Sequence, residues 1–246
     1  MLALHSVPGH GLVPSLSPPC AKLETWLRLA AIPYVIGAVT PGEAPKRKYP
    51  YISHEGRLIG DATLLLPHLR RRYDVDPDSH LGARERAVAR ATRRMLKEHF
   101  YWVIVHGRWV PEAGYAQYLA ILSDALPHAL PLELRQQIVA SHREPLLAQL
   151  DAQGLGRHSP DEVAELGKED LDALATLLGS GAFFFGDQPS TLDVTAYASL
   201  TNVIDVAVDS PIKVAALAHP NLVAHTRRMQ ARFFPERSEA TAADNS

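Results

Sequence analysis

The 246-residue chain predicts a small α/β unit followed by an all-helical one. Three observations carry this reading. Short β-like runs alternate with helical ones over the first 75 residues, and the β signals nearly vanish after the polar linker Asp74 to His80. Beyond it, every long segment repeats its apolar residues at steps of three and four. The length accommodates two compact units, 1–75 and 81–235, each with room for a core, and leaves 236–246 as a polar, aperiodic tail expected to stay flexible.

Leu2 to Val7 is a strand by its apolar and β-prone content, and the Gly/Pro-punctuated stretch Pro8 to Pro19 is the loop that follows. From Cys20 to Ala31 the set Leu23, Trp26, Leu27, Ala30 forms one face of an amphipathic helix directed at a sheet. Tyr34 to Val39 and Tyr49 to Ser53 read as strands, with Arg57 to Ile59 a further one after the Glu55-Gly56 turn. Ala62 to Tyr73 is helical; a proline inside a helix removes one backbone donor, so Pro67 is expected near the first turn. The second unit reads as helices over Leu81 to Trp109, Glu112 to Leu126, Leu132 to Gln153, Pro160 to Leu178, Thr191 to Val206 and Asn221 to Phe234.

Hydrophobic residues make up 46% and charged residues 21%, which excludes wholesale disorder and fibrous repeats. Lys and Arg number 25 against 27 Asp and Glu, a formal charge of −2 that gives no global field toward nucleic acid or anionic lipid. The single cysteine, Cys20, forbids an intrachain disulfide and points to a reducing compartment. Met1 to Leu12 lacks a basic leader region, and no apolar stretch approaches the roughly 20 residues of a membrane span, so the expected location is the cytoplasm.

Ser17-Pro18-Pro19-Cys20 lies where a loop meets a helix start, with Ser17 at the N-cap and proline at the first helical position. Such a start presents backbone amides and the positive dipole end to an anion near Ser17; the plainer alternative is that Ser17 only caps the helix. Cys20 occupies the third helical position and reads as a buried structural thiol in preference to a dipole-activated one. Tyr49-Pro50 opens the third strand, and a proline there suits a strand start or a cis peptide in a tight loop. Asp61-Ala62-Thr63 is a strand-to-helix junction with Asp61 as N-cap. These three loops are expected at one end of a small sheet.

On these residues the chain resembles the glutathione transferases, whose fold is a thioredoxin-like α/β N-terminal domain plus an all-α C-terminal domain. Gly11 to Cys20 running into Leu23-Glu24-Thr25-Trp26-Leu27-Arg28 resembles, more narrowly, the failed-axon-connections-like branch related to the metaxins. So do His99 to Trp109, Gly154 to Ser159, Gly186 to Asp193, and Pro220-Asn221-Leu222-Val223 through Phe234-Pro235. The resemblance implies a catalytic Ser17 that hydrogen-bonds the sulfur of glutathione as co-substrate. Donating to a thiolate lowers its pKa and raises its reactive fraction. It further implies that the backbone of Tyr49, ahead of a cis Pro50, pairs with the cysteinyl part, and that Asp61, Ala62 and Thr63 hold the γ-glutamyl end with Lys48 close enough to meet a carboxylate. Most members carry Ser where this chain has Ala62, so one hydroxyl is lost unless Thr63 replaces it.

His99, Trp102, His106 and Trp109 form one helical stripe that is either core or the lining of a pocket for a hydrophobic electrophile, with Trp102, His106 and Trp109 as pocket residues. Two histidines seven apart lie ~10 Å apart along a helix axis and cannot share a metal, so none is expected. Ser190-Thr191-Leu192-Asp193 reads as a capping box, Gly154-Leu155-Gly156 as a turn, and the basic run from Arg84 to Lys97 as a solvated face. The expected function is thiol transfer to a small electrophile, by a protein that can form a homodimer. The alternatives are a non-catalytic adaptor with the same fold and a specialised pathway isomerase or transferase.

Overall fold

The computed structural model describes residues 1–40 and 42–238. Four short strands, β1 (Leu2–His5), β2 (Tyr34–Ile36), β3 (Tyr51–His54) and β4 (Arg57–Gly60), form one sheet in the order β2-β1-β3-β4. β1 runs parallel to β2 and antiparallel to β3, which is antiparallel to β4. The parallel pair needs a crossover, supplied by α1 (Pro18–Leu29), and the hairpin β3–β4 is followed by α2 (Ala62–Tyr73). This is a thioredoxin-like α/β unit preceding an all-helical one, the arrangement the resemblance implies.

The helical part contains α3 (Ala83–Met95), α4 (Tyr101–Trp109), α5 (Glu112–Asp124), α6 (Leu132–Ala140), α7 (Arg143–Gln153), α8 (Pro160–Leu178), α9 (Thr191–Ile204), α10 (Pro211–Leu217) and α11 (Pro220–Phe233). A π-helical turn, Leu96–Phe100, joins α3 to α4 inside the expected helix Leu81 to Trp109. The expected helix Leu132 to Gln153 divides at Ser141-His142 into α6 and α7, and α10 was not anticipated. Pro67 lies at the sixth position of α2, not in its first turn. The helix continues past it with one donor fewer, the exposed ring on the outer side. Of the expected tail, residues 239–246 lie outside the described residues.

Every residue of α9 is buried, which is why Thr191 to Ile204 shows apolar and small side chains all round instead of one stripe. The core beneath the sheet is not confined to the first 75 residues. Leu2, Leu4, Leu23, Trp26, Leu27 and Ile52 pack in one cluster with Phe183, Val194, Tyr197, Met229, Phe233 and Phe234.

A polar node fastens the linker to this core. The Asp78 carboxylate accepts the Thr191 amide at 2.6 Å and pairs with the Arg70 guanidinium, while Trp26 Nε1 and Arg70 both donate to Thr191 Oγ1. Burial pushes the Asp78 carboxyl toward protonation, but the Thr191 amide and Arg70 outweigh it and hold its pKa below the usual carboxylate range. A depressed folded-state pKa stabilises fully above the unfolded value of about 3.9, and that stability disappears as pH falls through the folded value. Asp78→Asn should therefore lose ~1–3 kcal/mol at pH 7. Urea midpoints of parent and variant should converge below about pH 4; a gap constant with pH would disprove the assignment.

Candidate functional site

The sheet register sets the position of the site. His5 pairs with Tyr51, and Tyr51 pairs with Gly60, so the end of β1, the start of β3 and the end of β4 share one edge. The loops leaving that edge carry Ser17, the cis Tyr49-Pro50 bond and Asp61. Three segments far apart in sequence thus meet at one end of the sheet, as their loop chemistry predicts.

Ser17 is the N-cap of α1, and its side chain makes no capping hydrogen bond. Its surroundings correct one expectation. Pro18 and Pro19 have no N–H, and the amides of Cys20 and Ala21 both donate to the Ser17 carbonyl at 2.9 Å. The Ser17 amide itself donates to Ser15 Oγ at 3.2 Å. No amide of this helix start is left for an approaching anion, so the half-buried Ser17 hydroxyl and the helix dipole are what it offers.

Cys20 is fully buried, and burial raises its thiol pKa, an effect only partly offset by the hydroxyls of Ser17, Ser6 and Ser15 and the Val7 amide around it. Its burial fits the structural thiol expected from the sequence, and not the dipole-activated one. Tyr101 approaches the same region, its phenol pushed up to about 12 by burial, with Tyr118 and Cys20 adding to the shift.

Asp61 caps α2 by accepting the Thr63 amide at 2.8 Å, and its carbonyl receives the amides of Leu64 and Leu65; the cap does not engage the Ala62 amide. Its φ of 71° is left-handed, a conformation uncommon for a residue with a β-carbon. Desolvation works against the charge on Asp61, but the Thr63 amide, with Lys97 and Lys48 nearby, holds its pKa below the usual range. Among the described residues, buried Thr63 Oγ1 has no partner within hydrogen-bond distance. Lys22, one turn into α1, completes this corner. Burial, then the charges of Lys97 and Arg93, push its ammonium down to about 8, while Asp61 and Glu98 act the other way.

The stripe that runs from the π turn along α4 is divided differently. His99 Nδ1 meets Asp170 of α8 at 2.6 Å, His106 is buried beside the His158 backbone, and Trp109 packs with Val105, Tyr118 and Val206. His106 and Trp109 therefore sit in helix packing, and Trp102 alone of the three expected pocket residues keeps an exposed part.

The face of α4 that meets the Ser17 loop carries Arg108. Its guanidinium is wholly buried with no carboxylate in ion-pair distance among the described residues, donating to Leu16 O at 2.8 Å, Tyr118 Oη at 3.3 Å and Asn202 Oδ1 at 2.9 Å. Tyr118 Oη also donates to Leu16 O at 3.0 Å, and Asn202 Nδ2 donates to Ser15 O at 3.0 Å. The carbonyls just before Ser17 are thereby clamped by the helical unit. Arg108 and Asn202 were missed in the sequence, although a cation closing the apolar run Val103-Ile104-Val105 and an amide inside an apolar helix are both visible signals.

The family model described as glutathione S-transferase N-terminal domain matches residues 18–114, and that for the C-terminal domain matches 167–229. "Failed axon connections" of Drosophila melanogaster is 35% identical over 241 residues, covering 93% of this chain and 57% of that protein. The isoprene-epoxide–glutathione S-transferase of a Rhodococcus species is 28% identical over 233 residues, covering 92% of this chain and 96% of the enzyme. Metaxin-1 of Homo sapiens is 28% identical over 239 residues, covering 92% of this chain and 50% of that protein. The chain thus spans little more than half of the Drosophila protein and half of the human one. A solved glutathione transferase from Populus trichocarpa shares the fold, with a TM-score of 0.62 at 14% identity, covering 98% of this chain and 99% of that one. The chain belongs to the glutathione S-transferase superfamily, in the branch of the failed-axon-connections proteins and metaxins.

Proposed function

We propose that this is a cytoplasmic glutathione transferase that activates the thiol at Ser17 and adds it to a hydrophobic electrophile. The observation carrying this reading is the convergence of Ser17, cis Tyr49-Pro50 and the Asp61 cap at one sheet edge. The residues there fit the tripeptide. Asp61 meets an ammonium, Lys48, Lys97 and Lys22 supply cations for carboxylates, and the partnerless Thr63 hydroxyl stands in for the one missing at Ala62. The Tyr49 backbone pairs with the cysteinyl segment, and Ser17 Oγ donates to the sulfur, favouring the thiolate. Trp102 borders the acceptor side. The cytoplasmic assignment rests on the buried lone cysteine; among the described residues no helix is long and apolar enough to cross a membrane.

Because Pro18 and Pro19 remove amides that would share the work, the Ser17 hydroxyl carries most of the thiolate stabilisation. Glutathione should bind at micromolar to millimolar Kd, roughly −4 to −8 kcal/mol. Ser17→Ala should keep that affinity and lower kcat/KM by about 10- to 100-fold toward an aryl halide or a small epoxide. The epoxide probe follows from the Rhodococcus relative. Ala62→Ser should tighten glutathione by ~1 kcal/mol if the tripeptide docks at this helix start.

A non-catalytic adaptor is the second reading, favoured by the depleted amides at Ser17 and the missing hydroxyl at residue 62. No calorimetric heat at about 10 mM glutathione would establish it in place of the transferase.

A further inference from the structure

The basic run of α3 is not one solvated face. Arg94 and Lys97 pair outward with Glu98, whereas Arg86, Arg90 and Arg93 turn toward the end of α2. There, with Arg70, Asp78 and Leu81, they line a cavity of about 310 Å³. Two carboxylates serve this cavity, and both are already committed. Asp78 holds Arg70 and the Thr191 amide, and Asp76 holds Arg70 at 3.3 Å and Arg86 at 3.2 Å.

Among the described residues no carboxylate lies within ion-pair distance of Arg90 or Arg93. The one side-chain bond of Arg93 goes to the Ala89 carbonyl of its own helix at 3.3 Å. Arg70 Nε is buried without a partner. Burial, then the charges of Arg70, Arg90 and Arg94, depress the pKa of the Arg93 guanidinium, with Asp78 acting the other way. Four guanidiniums against two carboxylates leave two positive charges facing a cavity larger than an inorganic oxyanion.

We propose that this cavity is a second ligand site, for a phosphomonoester dianion held by Arg90 and Arg93 with Arg70 behind them. Planar guanidinium forks match phosphate oxygens two at a time. At neutral pH a phosphomonoester carries a charge of about −1.5 to −2, which matches the uncompensated pair. The space beyond the phosphate accommodates a small organic group. The site lies toward the C-terminal end of α2, whereas Asp61 caps its N-terminal end, and it does not depend on the thiol-transfer reading.

The test is calorimetric titration with phenyl phosphate at constant ionic strength set by NaCl, with a parallel cosedimentation arm using phosphatidylcholine vesicles containing phosphatidic acid. Saturable binding with a Kd of roughly 0.1 to 1 mM is expected. Arg90→Gln, at an exposed position, should weaken it about tenfold or more, while Arg94→Gln should leave it unchanged. Binding of the soluble ester identifies a free metabolite as the source, and Arg90-dependent cosedimentation without it identifies a lipid headgroup; either supports the site. Absence of both, equal losses in the two variants, or an Arg90→Gln variant that binds as the parent does would overturn it. So would a monomer–dimer equilibrium in sedimentation velocity that Arg90→Gln abolishes while phosphate has no effect, since the pocket would then belong to a second copy.

Discussion

Arg108→Met is expected to cost about 3 kcal/mol or more, because it strips donors from the buried carbonyls of Leu16 and Asn202 at once. For a chain of this size that corresponds to a fall in Tm of about 6 to 12 °C. The loss should be out of proportion to packing, since methionine fills much of the same volume. Arg108 is a buried cation whose charge is answered by carbonyl dipoles, an amide oxygen and the Tyr118 ring, with the guanidinium carbon 4.6 Å from the ring centroid. Burial depresses its pKa, and a lysine placed there would lose its proton more readily and reach fewer acceptors. Arg108→Lys should therefore not rescue. On the proposed thiol-transfer reading the clamp fixes the residue just before Ser17, so kcat toward the electrophile should fall in both variants even where the fold survives. A variant with parental Tm and parental kcat would remove Arg108 from the positioning of the loop.

Asp193→Ala should have a comparable effect on stability, about 3 to 5 kcal/mol, through the N-terminal end of α9, the helix whose C-terminal half carries Asn202. Its carboxylate is wholly buried and accepts from the Ser190 amide at 2.8 Å, Ser190 Oγ at 2.8 Å, the Phe184 amide at 3.1 Å and His225 Nε2 at 3.0 Å. Removing it orphans donors on three segments. Ser190→Ala, which removes only the cap, should cost roughly 0.5 to 2 kcal/mol. Urea unfolding at fixed pH tests both, with a lower midpoint and an unchanged slope expected for each. Equal midpoints for the two variants would show that Asp193 acts as nothing more than a cap partner.

The parts of the site that were legible are those written in local backbone chemistry. Ser17, Pro50 and Asp61 each occupy a cap or turn position defined by its own neighbours, and the sheet register brings their loops to one end, as expected. What the sequence conceals is pairing over distance: Arg108 with Leu16 across 92 positions, and Asn202 with Ser15 across 187. Helical spacing shows that Trp102, His106 and Trp109 share a face but not what that face meets, and the π turn at Leu96–Phe100 alters the phase between the residues before and after it. The division of α6 from α7 was legible but missed: Ser141-His142-Arg143-Glu144-Pro145 interrupts the apolar repeat and places a proline in the first turn of α7, whereas α10 is too short for a periodic signal to accumulate.

The shared core has a consequence for the birth of the protein. The fully buried Trp26 donates to Thr191, and the cluster beneath the sheet is completed by Met229, Phe233 and Phe234. The first 75 residues leave the ribosome before Thr191, Met229, Phe233 and Phe234 exist. At about 5 to 20 residues per second, the nascent sheet must wait roughly 8 to 30 s for the aromatic residues that close it. During that interval its apolar underside faces the ribosome surface and whatever chaperones gather there, so the step that commits this chain to its native form falls after α11 has been translated.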